Sequence, residues 1–224
     1  IESNFLSTVN ILQKVKKDNS KLIFISSSRV YPITESYKKF KRYKKLGKHL
    51  PYKEESNFND TKTIYGFTKY CSEHLIKEYN YSENTKFIIN RCGLISGPGQ
   101  YGKVEQGLVA LWMWRHINKM KVTYLGHGGN GNQVRDVLFI KDLCKLILLQ
   151  IKQFKKFENE IFCIGGGTKN ALNLKNLTKL CQNITRNKIK IMKNLNTSIY
   201  DIPYYVTSIN KINKISNWKP RINL

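Results

Sequence analysis

Short apolar runs alternate with longer amphipathic stretches along most of the chain, and the change of period marks the elements. Phe5, Val9 and Leu12 recur at helical spacing through residues 4–17, with Lys and Gln on the other side, until Asp18–Asn19–Ser20 stops the helix. Lys21–Ser26 (KLIFIS) is a continuous apolar run of the kind a strand buried on both faces requires, and Ser27 to Tyr31 leaves the sheet at its carboxyl end. Residues 33–60 are polar and basic with no clean period, which predicts a long loop holding a short helix at Tyr37–Lys45. A helix carrying Tyr65 follows and runs to about Tyr79. Lys86–Arg91 (KFIINR) is a second buried strand, and Gly97–Pro98–Gly99 turns the chain.

Beyond the turn, Glu105–Lys119 predicts a helix bearing Leu108, Leu111, Trp112 and Arg115, and Lys121–Leu125 a strand with a Gly-rich turn through Gly131. Val134–Phe139 is extended, Ile140–Phe154 an amphipathic helix, and Glu160–Ile164 a third buried strand ending at Gly165. Leu172–Ile184 (helix), Lys188–Met192 (strand) and Thr207–Ile215 (short helix) complete the pattern. Strands alternating with helices predict an α/β fold: a doubly wound parallel sheet with a smaller C-terminal lobe. Residues 1–98 would hold the sheet. Residues 99–224 would form most of the lobe, with a strand and helix at about 134–165 returning to the sheet.

Composition changes this picture little. At 224 residues the chain can bury one large domain, or one and a half. The net charge of +24 raises the possibility of a nucleic-acid binder, whose signature would be cations gathered on one face. Lys, Asn and Ile are heavily used everywhere, as AT-rich coding DNA would produce, with one dense basic run at Lys38–Lys48. A biased background therefore explains the charge better than a polyanion partner, and a small phosphate-bearing substrate suits it too. No apolar run is long enough to span a bilayer and no signal-peptide pattern opens the chain, so the cytoplasm is the expected compartment. The five cysteines (Cys71, Cys92, Cys144, Cys163 and Cys181) share no ligand or disulfide spacing and read as buried reduced thiols. His49, His74, His116 and His127 share no metal spacing, so no metal is expected.

The candidate chemistry centres on Thr61–Glu73. Tyr65 and Lys69 lie four residues apart, on one face of the predicted helix. An ammonium beside a phenol favours the phenolate, which suits a proton acceptor near neutral pH. Polar stations at strand carboxyl ends, Ser26–Ser28 and Asn90–Gly93, fall where a parallel α/β sheet places its functional loops. Taken singly, these features have plain structural readings. Ser26–Ser28 would cap a turn, Lys69 would be one solvated lysine among many, and Arg135–Asp136 a surface ion pair. Gly165–Gly166–Gly167 lacks the spacing of a phosphate loop and reads as a turn, whereas Gly126–Gly131, just ahead of Arg135, could face a substrate. Trp112 and Trp114 cannot share a helix face, so one belongs to the core and the other to a pocket or interface.

Several segments occur in the order of one known family: Asn4-x-x-Ser7-Thr8, Ile25–Tyr31, Tyr65–Lys69, Arg91–Gly93 through Gly97–Pro98, Gln133–Val137, and Asp201 through Trp218–Lys219–Pro220. Together they resemble the extended short-chain dehydrogenase/reductase superfamily, and within it the sugar-nucleotide epimerase/dehydratase group. Asn90–Gly93, Gly97–Lys103, Gln106–Gly107 and Gly131–Leu138 give the nearest likeness to CDP-tyvelose (CDP-paratose) 2-epimerases. The resemblance implies a Rossmann-like fold and an NAD-dependent isomerase of carbohydrate biosynthesis, such as that of lipopolysaccharide O-antigen. Its substrate would be a nucleotide-diphosphate sugar, oxidised to a keto sugar and reduced again with inversion at C2. Tyr65, Lys69 and Ser27 would be catalytic. Asn4, Ser26, Tyr65, Lys69 and Gly93 would bind the cofactor, and Ser27, Gln100, Arg135 and Asp201 the substrate. It also implies a homodimer through the helices around Asn4 and Tyr65. The alternative of another class, a non-catalytic nucleic-acid binder on this fold, is disfavoured by Tyr65, Lys69 and Ser27 together, and no membrane partner is expected.

Departures accompany the likeness. The family's opening strand, Gly-x-x-Gly-x-x-Gly turn and acidic residue are absent from these 224 residues, which implies an N-terminally truncated Rossmann domain with impaired NAD binding. Ser7 stands where Gly is usual, Leu94 where many relatives carry Asn, and Ser198 where many carry Arg. Ser28 and Arg29 occupy the positions of a dehydratase acid pair, so the rival within the superfamily, a dehydratase, decarboxylase or reductase, is disfavoured as a dehydratase.

Overall fold

The computed structural model describes residues 1–103 and 107–223. A short π-helical segment, Glu2–Leu6, leads into α1 (Ser7–Lys17), then β1 (Leu22–Ser27), α2 (Ile33–Leu46), α3 (Ile64–Glu83), β2 (Phe87–Cys92) and β3 (Leu94–Ser96). The second half comprises α4 (Leu108–Ile117), β4 (Val122–Leu125), β5 (Val134–Phe139), α5 (Ile140–Lys152), α6 (Phe154–Phe157), β6 (Glu160–Ile164) and β7 (Ala171–Asn173). It closes with α7 (Leu174–Thr185), β8 (Ile191–Asn194), β9 (Tyr204–Tyr205) and α8 (Asn210–Ser216).

The main sheet is parallel, in the order β1-β2-β6, with Leu22 beside Phe87 and Ile88 beside Glu160. Successive side chains of β2 point to opposite faces, and both faces are covered. Phe87 and Ile89 pack with Leu12 of α1 and Ile76 of α3, whereas Ile88 and Cys92 pack with Leu146 of α5, Phe157 of α6 and Trp218. Each fully buried Ile contributes about 1.5–3 kcal/mol of apolar transfer, which explains why β2 reads as an unbroken apolar run. The polar residues of β2 obey the same alternation: Asn90 exchanges amide hydrogen bonds of 2.8 and 2.9 Å with Gln150 of α5, and Arg91 turns to Glu73 of α3. This is an α/β Rossmann-like fold.

Beside it stands a second small sheet in which β3, β7 and β9 all pair with β5, while β4 pairs with β8. β6 lies next to β2, but β5, expected to return with it, belongs to the second sheet.

The short helix expected at Tyr37–Lys45 is present and longer, with α2 running from Ile33 to Leu46. Ser36, Phe40 and Tyr43 face inward at helical spacing, Ser36 exchanges hydrogen bonds with Tyr204, and Gly47 closes the helix at φ +65°. Only a narrow stripe of α2 is buried, and one of its members is a serine, so the period is faint. Leu172 and Asn173, expected to open a helix, belong to β7 and pair with β5. The Asn173 side chain accepts from Asn176 N at 2.8 Å, so α7 starts after it. The strand expected at 188–192 is shifted to 191–194, where it pairs with β4. The predicted helix start at Glu105 and the motif residue Gln106 lie outside the described residues. Cys92, Cys163 and Cys181 are buried, but Cys71 is half-buried and Cys144 exposed, because Cys144 falls on the outer face of α5. Among the described residues no helix is long and apolar enough to cross a membrane, and no cluster of His, Cys, Asp or Glu could hold a metal ion.

Candidate active site

β1 ends on Ser26 and Ser27, and the chain then makes one 3-10 turn, Ser28–Val30, capped by the Ser27 hydroxyl accepting from Arg29 N at 3.2 Å. The start of α3 docks on this turn. Thr63 caps it by accepting from Gly66 N at 3.0 Å, and Gly66 is required because a Cβ there would overlap the Arg29 carbonyl. That close approach sets Tyr65 beside the Ser27–Arg29 turn, with its ring 46% exposed. Lys69, one turn further on, donates to Ile25 O at 3.1 Å and lies over the Phe24 ring at 4.6 Å. Burial pulls its pKa below the ordinary lysine value, against the opposing pull of Cys92 and Glu73.

Ser26 is not part of this exposed set. Its hydroxyl is buried and donates to Glu73 Oε1 at 2.5 Å, because it points to the α3 face of β1. Glu73 also takes Arg91 Nε at 3.1 and 3.0 Å and Nη2 at 2.6 Å. Arg91 reaches on to Glu54 O at 2.9 Å and stacks on Phe58 at 4.5 Å. Burial alone would lower the Arg91 pKa, but its hydrogen bonds and charge pairing with Glu73 outweigh it and hold the value above normal. This buried pair ties α3 to β2 and so fixes the helix that carries Tyr65 and Lys69.

The other cofactor candidates are placed less directly. Asn4 lies in the π-helical segment against α3. Its carbonyl accepts from Thr8 Oγ1 at 2.6 Å and Ser72 Oγ at 3.5 Å, and its side chain is half-buried. Gly93 follows β2, donating to Ile164 O at 2.8 Å, and a Cβ there would sit 3.2 Å from the Tyr205 ring, so its smallness serves packing. Gln100 is exposed, donates to Ile95 O at 3.2 Å, and does not line the cavity described next.

A cavity of about 860 Å³ opens on the far side of Arg29. Leu108, Leu111, Trp112, Leu125 and Leu174 form its apolar wall; Arg29, Arg115, Arg135 and Asp201 supply its charge. Asp201 contacts His127 Nε2 at 2.9 Å and Arg135 at 3.8 Å. His127 is wedged beneath Tyr37 and Phe40 of α2, with ring centroids 5.5 and 5.7 Å away. Burial draws the Arg135 pKa down to about 10; Asp201 opposes the shift and Arg29 reinforces it. Arg135 Nη1 donates to Val134 O at 2.8 Å and Nη2 to Ile202 O, which hold the guanidinium in place.

Arg135 and Asp201 thus meet in one cavity. Tyr65, Lys69 and Ser27 do not line it and are reached from it across Arg29. Gly126 and His127 bring the Gly-rich loop to the site. Gly165–Gly167, by contrast, is a packed turn, with Gly166 against Val137 O and Gly167 N donating to Asp136 at 2.9 Å. Asp136 is fully buried, so Arg135–Asp136 is no surface pair. Trp112 is core and cavity wall at once, and Trp114 is 52% exposed. Sequence reading missed Arg115 and His127 as site residues, and weighed Arg29 only as a replaced acid. The one available signal was the position of His127 inside the Gly-rich loop ahead of Arg135.

Comparison with known proteins agrees with this geometry. The model of the NAD dependent epimerase/dehydratase family matches residues 1–165. CDP-paratose 2-epimerase of Salmonella typhi is 29% identical over 233 aligned residues, covering 99% of this chain and 67% of that protein. The solved UDP-glucose 4-epimerase of Thermotoga maritima with UDP-glucose superposes with a TM-score of 0.81 at 22% identity, covering 99% of this chain and 65% of that one. UDP-glucuronic acid 4-epimerase of Bacillus cereus, in complex with UDP-glucuronic acid and NAD, gives 0.81 at 19% identity, covering 98% and 63%. The chain therefore spans about two thirds of the length of these relatives. With Tyr65 and Lys69 at the carboxyl end of a parallel sheet, and the family's match running from the first residue through β6, the chain belongs to the NAD-dependent epimerase/dehydratase family.

Proposed function

We propose that the full-length protein is a nucleotide-sugar epimerase that oxidises its sugar transiently to a keto sugar and returns the hydride, acting on a CDP-linked 3,6-dideoxyhexose at C2. The observation that carries the reading is the shared turn at Arg29. On one side stands an exposed phenol with a lysine one helical turn away; on the other, a cavity with three arginines and one carboxylate. The identity to the Salmonella typhi CDP-paratose 2-epimerase over nearly the whole chain supports the family; the CDP-sugar rests on the likeness of Asn90–Gly93, Gly97–Lys103 and Gly131–Leu138 to the CDP-tyvelose (CDP-paratose) 2-epimerases.

NAD, when bound, supplies the hydride acceptor and donor. The residues present fit its nicotinamide-ribose end. The Lys69 ammonium has one protein acceptor among the described residues, Ile25 O, and so keeps donors for a ribose, and Tyr65 is exposed one helical turn earlier on α3. No Gly-x-x-Gly-x-x-Gly turn occurs in residues 1–224 to take the pyrophosphate. In the proposed reaction Tyr65 takes the proton of the sugar hydroxyl, and Lys69 holds positive charge beside the phenolate that forms. The Ser27 oxygen accepts from Arg29 N, which leaves its hydrogen to donate to the reacting sugar oxygen. Arg135 and Asp201 orient diphosphate and ribose, and the leucine-rich wall with Trp112 receives the base. Arg29 at a dehydratase acid position removes the group that an elimination needs. We also propose a cytoplasmic homodimer joined through the π-helical segment, α1 and α3, whose outer faces carry Leu6, Ile11, Ile64 and Phe67 exposed.

The test is the full-length gene product with NAD and CDP-linked 3,6-dideoxyhexoses. C2 interconversion is expected. Tyr65→Phe should lower kcat by about 10²- to 10⁴-fold with nucleotide-sugar affinity retained. Tight binding of a different nucleotide sugar, with no C2 interconversion, would sink the CDP-sugar assignment.

A further inference from the structure

Arg29 joins the two parts of the site. Its carbonyl is the surface on which Gly66 packs, one residue past Tyr65, while its guanidinium lines the cavity and donates from Nη1 to Tyr200 O at 3.0 Å. Tyr200 adjoins Asp201, so the guanidinium lies at the carboxylate end of the cavity nearest the phenol. Asp201 is already engaged by His127 at 2.9 Å and by Arg135 at 3.8 Å. One carboxylate thus faces two guanidinium groups. Burial lowers the Arg29 pKa while Asp201 and Tyr65 oppose the shift, and Arg29 in turn depresses Arg135. Two partly buried cations that repel each other favour a ligand carrying more negative charge than the single carboxylate supplies.

A nucleotide sugar is linear: base, ribose, two phosphates, sugar. With its reacting carbon at Tyr65 and its nucleoside at Asp201 and the apolar wall, the phosphate nearest Arg29 is the one bonded to the sugar. We propose that Arg29 binds the sugar-side phosphate, a fork-shaped donor matched to phosphate oxygens, while Arg135 serves the nucleoside side. This assignment rests on the nucleotide-sugar reading above and adds a specificity-determining residue to it. It makes the diphosphate, rather than the nucleoside alone, the unit that the cavity selects.

The experiment is calorimetric titration of the full-length protein, and of its Arg29→Gln and Arg29→Lys variants, with UMP and UDP, CMP and CDP, dTMP and dTDP. The wild type should bind one nucleoside's diphosphate more tightly than its monophosphate. Arg29→Gln should weaken that diphosphate by about 10- to 100-fold and leave the monophosphate within about threefold. Arg29→Lys, which keeps the charge and loses the fork, should fall between and guards against a variant that misfolds. Equal losses of mono- and diphosphate, as a merely structural role would give, overturn the proposal, as does unchanged diphosphate affinity. Wild-type protein that binds none of the three diphosphates overturns the nucleotide-sugar reading along with it.

Discussion

The two ends of the site are built on opposite principles. At the Tyr65 end, buried polar groups are matched to one another: Ser26 to Glu73, Glu73 to Arg91, Arg91 to Glu54 O. At the cavity end cations outnumber the one lining carboxylate, and two lining groups, Arg115 Nε and Gln133 Oε1, are buried with no partner among the described residues. The first end has spent its hydrogen bonds on holding a helix in place; the second retains them. A frame that orients a proton acceptor gains from internal saturation, because strain-free rigidity sets geometry. A cavity for a charged ligand gains from unspent donors, which are offset only when the ligand arrives.

The sharpest way to break that contrast is to unbalance the saturated end. Glu73→Gln leaves the Arg91 charge buried without its counter-ion, and should cost about 3–5 kcal/mol in urea unfolding of the full-length protein. Replacing both partners together, Glu73→Leu with Arg91→Met, should recover most of that loss. If Glu73→Gln unfolds at the wild-type urea concentration, the pair is not the frame of α3.

Asp136 of β5 tests the border between the two regimes. It is fully buried, and its pKa is pushed up to about 6 by burial, against hydrogen bonds from Thr207 and Gly167 N. Between pH 4 and 6 the folded state therefore holds a proton that the unfolded chain, with its ordinary carboxyl value of 3.8, has lost. Through this group, stability should fall as pH rises from about 4 to about 6 and stay level above. Asp136→Asn mimics the protonated form, so it should remove the slope and raise stability at pH 7.5 by on the order of 1–3 kcal/mol. Parallel pH–stability curves for wild type and variant between pH 4 and 6 would show that Asp136 is not the source.

The contrast also explains what the sequence disclosed. The saturated end is built mainly on two segments, residues 25–31 and 63–73, whose order and spacing are visible in one dimension, and is completed by Arg91 of β2 and the Glu54 carbonyl. Even there the direction of each side chain was hidden. Ser26 and Ser27 are neighbours, yet the pleat of β1 sends one hydroxyl to Glu73 and leaves the other at the surface. The cavity gathers Arg29, Arg115, Arg135 and Asp201 from four separate elements, and nothing local marks a residue such as Arg115 as facing a ligand. α2 was legible only in part, as a short helix at Tyr37–Lys45, because its buried stripe relies on a serine and on aromatic rings that stack with distant partners: Tyr43 with His49 and Tyr204, Phe40 with His127. Gly47, a helix stop signal in plain view, was the clue that outweighs the missing period.

The smallest expected effect sharpens where the cavity ends. Gln100 follows the Gly97–Pro98–Gly99 turn, and the resemblance assigned it to the substrate. Its side chain folds back on its own segment, donating to Ile95 O at 3.2 Å and lying 3.5 Å from where a Gly107 Cβ would stand. It is exposed and lines no part of the charged cavity. Gln100→Ala should therefore leave the KM for the nucleotide sugar within about twofold and stability within about 0.5 kcal/mol, as expected of a surface position. A rise in KM of about tenfold, some 1.4 kcal/mol, would mean that this segment swings onto the substrate during turnover. It would then carry unspent donors of the same kind as Arg29 and Arg135, and the division between a saturated frame and an unsaturated cavity would have to be redrawn around the turn at Gly99.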